Sequence, residues 1–126
     1  MSLQSPLARV RGLGSARQGS HHWWMQRVTS IVLVPLCLWF VISILQLSNM
    51  SYTEVRVWMS DPMSTTLMIM MLVAIYYHAY LGVQVVIEDY VDTEWQKITS
   101  LLLVKFLAVF SGIISVYSVL KVSLGI

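Results

Sequence analysis

Charge is what this sequence has least of. Of its 126 residues, 11% are Asp, Glu, Lys or Arg and 57% are hydrophobic. A soluble globular domain carries about 25% charged residues, so this chain cannot cover the surface of a small water-soluble fold. That excludes a cytosolic enzyme, a nucleic-acid-binding module and a disordered segment. Eight basic against six acidic residues leave a net charge of +2, too little to draw a polyanion such as DNA. Cys37 is the single cysteine, which excludes an intrachain disulfide and a thiolate-held cluster. No internal repeat and no low-complexity tract is present, and the length suits one domain at most.

What the chain does have is long uncharged runs. Residues 28–47 and 63–87 contain no charged residue, and residues 98–126 contain only Lys105 and Lys121. A bilayer core needs about 20 apolar residues of helix, and lipid offers a backbone no partner, so each run must be helical. The reading is an all-α membrane protein with three transmembrane helices, at about 28–47, 63–87 and 98–124. A basic N-terminal arm (residues 1–20) precedes a three-helix anchor domain (residues 21–126). Pro35 removes a hydrogen bond within the first span and should kink it. Asp61-Pro62 reads as a stop and a start for the second span. Lys105 is close enough to an end of the third span to snorkel.

Orientation follows from Lys and Arg. Arg9, Arg11, Arg17 and Arg27 precede the first span with no acid among them, and Lys97 joins them on the same side. Only Arg56 and Lys121 fall on the other. The N-terminus should therefore face the cytoplasm, or the mitochondrial matrix, and the C-terminus the outside. An organellar transit peptide is the competing reading of the Arg- and Ser-rich start, but Pro6, Gly12, Gly14 and Gly19 break the amphipathic helix it would need.

His78 is the most informative residue. It stands eleven residues before Asp89, which at about 1.5 Å per residue puts it roughly halfway through a bilayer core of about 30 Å. Ionisable groups at that depth are costly and commonly functional. Ala74 and Gly82 lie four residues to either side, on the same face, in the run A-I-Y-Y-H-A-Y-L-G. Small residues above and below an imidazole leave room for a flat macrocycle, and neutral imidazole is a common axial ligand of haem. The alternative is a neutral histidine bonded to a neighbouring helix, with Ala74 and Gly82 serving close packing. His21 and His22 stand near the inner surface and cannot reach mid-membrane. A methionine could serve as the second ligand, but bis-histidine ligation is commoner for membrane b-type haems; if haem is bound, its second histidine therefore comes from another chain, and these helices are half of a two-subunit haem-binding bundle.

A polar cluster gathers at the inner boundary. Ser20, His21, His22, Trp23, Trp24, Gln26 and Arg27 lead into the first span, and Glu88, Asp89, Tyr90 and Asp92 leave the second. A quinone headgroup wants donors for two carbonyls. Tyr90 is a suitable phenol, Asp89 can orient it or carry protons, and Arg27 offers a charge to a quinone gaining electrons or to a haem propionate. An aromatic belt, with Arg27 snorkelling or pairing with Asp89, is the plainer reading.

Two stretches carry a resemblance: H-H-W-W-M-Q-R-V-T-S-I-V-L entering the first span, and H-A-Y-L-G-V-Q-V-V-I-E-D-Y-V closing the second. The chain, from about Gly19 to its end, resembles the D-type hydrophobic membrane anchor of succinate dehydrogenase, most closely in its alphaproteobacterial form. The resemblance implies that His78 is the axial haem b ligand from this subunit, with the other histidine supplied by a C-type anchor. It implies that Tyr90 bonds ubiquinone with Asp89 beside it, and that Arg27 lies near the haem propionates and quinone. His21 occupies a position where members carry histidine, and His22 replaces an acid found in some relatives. The implied complex adds an iron–sulfur subunit and a flavoprotein, in a bacterial inner membrane rather than a mitochondrial one. A fumarate reductase anchor and a non-redox structural or transport subunit are the competing functions.

Overall fold

The computed structural model describes residues 17–126, with side chains from Ser20 onward; the basic arm assigned to residues 1–20 falls outside the described residues as far as position 16. Among the described residues four helices follow in order: α1 (Arg17–Leu47), α2 (Tyr52–Ser60), α3 (Pro62–Tyr90) and α4 (Glu94–Leu124). α1, α3 and α4 are each long and apolar enough to cross a membrane. Their 31, 29 and 31 residues exceed the roughly 20 that a bilayer core requires, so each carries about two and a half to three turns in all beyond the hydrocarbon. α1 starts well before the charge-free run and continues through Pro35.

Local signals set the boundaries. Asp61 caps α3, its carboxylate accepting the Ser64 N–H at 2.9 Å. Pro62 takes the first helical position, where a missing N–H costs nothing. α4 ends at Gly125, whose φ of 72° is a left-handed conformation that glycine adopts without a Cβ penalty. α2 is the element that the uncharged runs gave no sign of. Ser51 opens it with a capping box: its hydroxyl accepts the Glu54 N–H, and the Glu54 carboxylate accepts the Ser51 N–H at 2.7 Å. This short helix lies in the connection expected as a loop, and its Trp58 ring stacks on Trp39 of α1 with centroids 5.9 Å apart.

α3 stands between the other two spans, packing on α1 along one side and on α4 along another, while α2 touches the ends of α3 and α4. At the α3–α4 seam Gly112 brings the helices together; a Cβ there would lie 3.6 Å from the Tyr76 ring. Beyond that contact the Tyr76 hydroxyl meets Ser115 Oγ at 2.9 Å. Thr65 and Ser123 bond at 2.8 Å towards one end, and the Lys97 ammonium donates to the Glu88 carbonyl at 3.1 Å near the other. Interhelical bonds of this kind contribute on average about 0.6 kcal/mol each in a membrane, so they set register more than they supply stability.

The core is thin. Among the described residues, Leu36, Met71, Leu81 and Val119 are the buried apolar ones, and no side chain is fully buried. Ile31, Leu38, Leu45, Phe106, Phe110 and Ile113 are all more than half exposed. In water such a surface would aggregate; in a bilayer, lipid or another helix covers it.

Candidate functional site

The site is built where α1 crosses α3. Leu81 and Met71 bury one stripe of α3, and the same side carries His78 and Gly82, three and four residues apart from their neighbours on that stripe. On α1, Gln26 and Thr29 are one turn apart and face them. His78 Nδ1 lies 2.8 Å from the Thr29 hydroxyl. His78 Nε2 has only a long contact of 3.5 Å, with the Gln26 amide nitrogen. Thr29 is 8% exposed, an unusual depth for a polar side chain on a lipid-facing helix. The imidazole is thus anchored at one nitrogen and loosely covered at the other.

Gly82 leaves the neighbouring space free of side chain. A Cβ there would stand 3.8 Å from the Gln26 amide nitrogen, so this room is bordered by the amide of the facing helix. It continues into a cavity of about 490 Å³ lined by His22, Trp23, Gln26, Gly82, Gln84 and Glu88. Two buried polar atoms there, His22 Nε2 and Gln26 Oε1, have no hydrogen-bond partner. Unsatisfied buried groups are uncommon in native proteins and ask for a partner that is a water, an ion or a ligand.

Arg27 lays its guanidinium over the Trp23 ring at 4.2 Å, and Trp23 stacks on Trp24 with centroids 6.2 Å apart. His21 is exposed. Tyr90 ends α3 with 82% of its surface open, beside the exposed Asp89. Among the described residues, no hydrogen bond joins Tyr90 or Asp89 to Arg27. Of the residues singled out in the sequence, then, His78 and Gly82 meet α1 directly, whereas Tyr90, Asp89 and Arg27 stand at the boundary as separate groups open to a partner. Thr29 had not been singled out. The depth read for His78 gave no signal for it: halfway through the core pointed further along α1, whereas the structure sets the imidazole level with Gln26 and Thr29, on either side of Arg27.

A second, apolar cavity of about 590 Å³ runs between α3 and α4, bordered by Tyr76, Tyr77, Tyr80, Gly112 and Tyr117, with Lys105 as its charged member. It holds no histidine and lies away from His78.

Three apolar spans, two of them joined through a mid-helix imidazole and its hydroxyl partner, define a multi-pass all-α membrane protein with a polar site at the crossing of two helices. Comparison with known proteins is consistent with that class. The family model described as succinate dehydrogenase/fumarate reductase transmembrane subunit matches residues 1–113. The succinate dehydrogenase hydrophobic membrane anchor subunit of Rickettsia bellii is 33% identical, over 86% of each chain. That of Rickettsia conorii is 31% identical over 84% of this chain and 85% of the relative. The corresponding subunit of Paracoccus denitrificans is 25% identical over 96% of this chain and 93% of the relative. The chain belongs to the succinate dehydrogenase/fumarate reductase transmembrane subunit family, and within it to the hydrophobic membrane anchors of succinate dehydrogenase.

Proposed function

We propose that this anchor supplies one axial ligand, His78, to a haem b shared with a C-type anchor subunit, and that it borders a ubiquinone site. The observation that carries the reading is the state of the His78 ring: near the middle of α3, fixed at Nδ1 by Thr29 and without a short bond at Nε2. The residues present suit the group. Gly82 leaves space one turn away, and the two unpartnered polar atoms of His22 and Gln26 line the adjoining cavity. A macrocycle on this face needs the half-buried Gln26 amide to turn aside by rotation about its side-chain torsions. When bound, haem b supplies a one-electron carrier inside the membrane.

The rest of the work falls to the chain itself. Trp23 and Trp24 seat the start of α1 at the membrane boundary, and Arg27 presents a cation there for a propionate or for a quinone as it is reduced. Tyr90 donates its phenolic hydrogen to a quinone carbonyl, and Asp89 passes a proton at the same boundary. The open apolar faces receive the C-type anchor and lipid, and the basic side of the bundle receives the iron–sulfur subunit, with the flavoprotein beyond it. In this reading the N-terminus faces the cytoplasm and the C-terminus the outside of a bacterial cytoplasmic membrane, as the excess of Lys and Arg on the N-terminal side suggests.

The test is the haem content of the assembled complex. Wild-type complex should give a b-type α-band on reduction with dithionite, and His78→Ala should lose or shift that band. Normal haem content and potential in His78→Ala would remove the ligand role.

A further inference from the structure

The Thr29 hydroxyl has more than one neighbour, and their geometry decides which proton it handles. Besides its 2.8 Å contact with His78 Nδ1, Thr29 Oγ1 lies 2.9 Å from the Met25 carbonyl and 3.0 Å from the Gln26 carbonyl. A threonine hydroxyl has one hydrogen and two lone pairs. Donating the hydrogen back to the preceding turn is the ordinary habit of a threonine within a helix. It leaves the lone pairs directed away from the helix, towards His78. The Gln26 side-chain amide faces Nε2 at 3.5 Å, too long to be a short bond, so the Thr29 contact is the one that selects the neutral tautomer with the proton on Nδ1.

We propose that Thr29 is a positioning residue for His78: its hydroxyl accepts the Nδ1–H, fixes the tautomer and the ring plane, and so presents the Nε2 lone pair towards the site. The proposal rests on the haem reading above for what Nε2 then binds. Ligating histidines characteristically give their second ring proton to such an acceptor, which orients the ring and raises its basicity. Here the acceptor comes from a different helix of the same chain, so the register of α1 against α3 becomes part of the ligand geometry. Without the hydroxyl, the ring keeps its place in α3 but loses the contact that sets its rotation and its donor strength.

The experiment uses the assembled complex in native membranes, with Thr29→Val, Thr29→Ala and Thr29→Ser. Each is read as haem bound per anchor chain and as the midpoint potential of that haem in an optical redox titration. Removing the acceptor makes the imidazole a poorer donor and favours the ferrous state, so Val and Ala should raise the potential and lower haem retention. Serine keeps the hydroxyl and should restore both to near wild-type. Thr29→Ala adds no bulk, so it is read in the same way should the valine variant fail to assemble. Wild-type potential and retention in Val or Ala would overturn the positioning role, as would a serine variant that behaves like alanine. A wild-type complex with no haem would instead overturn the reading on which this one rests.

Discussion

Gly112 is where the α3–α4 seam is most easily broken, and the structure gives the size of the effect. A Cβ at this position would lie 3.6, 3.7 and 3.9 Å from three atoms of Tyr76. Those are ordinary contact distances, so Gly112→Ala fits without movement and gains up to about 1 kcal/mol of helix propensity. Leucine is different. Its branch reaches beyond Cβ into space that the Tyr76 ring already fills, and overpacking of this kind costs about 1–3 kcal/mol. Displacing the ring also breaks the 2.9 Å bond between the Tyr76 hydroxyl and Ser115, worth on average about 0.6 kcal/mol. Leucine shares most of that propensity gain, so Gly112→Leu should be less stable than Gly112→Ala by about 2–4 kcal/mol, the overpacking and the lost bond together. The assay is reversible unfolding of the complex in mixed micelles, followed by accessibility of a cysteine placed in the seam. A leucine variant as stable as the alanine variant would refute the claim that Gly112 sets the α3–α4 distance.

Two further outcomes follow from groups outside the hydrocarbon. Tyr90→Phe should slow quinone reduction while leaving succinate oxidation with an artificial acceptor near wild-type, because only the donor hydroxyl is lost; equal loss in both assays would indicate structural damage. The side-chain and backbone hydrogen bonds from Ser51 lower the Glu54 carboxyl below its ordinary range. A carboxylate whose pKa is depressed by folding contributes stability above its unfolded pKa and loses it as the pH falls through the folded value. Protection of the α2 amides from hydrogen exchange should accordingly weaken in acid, and Glu54→Ala should abolish that pH dependence; an unchanged profile in the variant would dismiss the capping box as its source.

The spans were legible because lipid imposes one requirement, the absence of charge, that a sequence displays openly. The Asp61-Pro62 start of α3 was legible for a similar reason: both residues act locally. α2 escaped because nine residues carrying Glu54 and Arg56 satisfy neither rule, although Ser51 and Glu54 stand at capping-box spacing. α1 begins at Arg17 rather than at residue 28 because helix continues through the Trp-rich boundary, where charge and aromatic side chains are welcome. His78 was conspicuous as an isolated imidazole within an uncharged run. Its partner was not, because a sequence gives the face of each helix but not the rotation of one helix against the next, and that rotation is what sets Thr29 beside Nδ1. The separation of Arg27, which stacks on Trp23, from the exposed Tyr90 has the same origin.

The most direct test is a density map of the assembled complex at the crossing of α1 and α3. A porphyrin should lie beside α3 within reach of His78 Nε2, with the Thr29 hydroxyl still on Nδ1 and the Gln26 amide turned away. Density showing Nε2 bonded only to protein or water, with no macrocycle on that face, would contradict this.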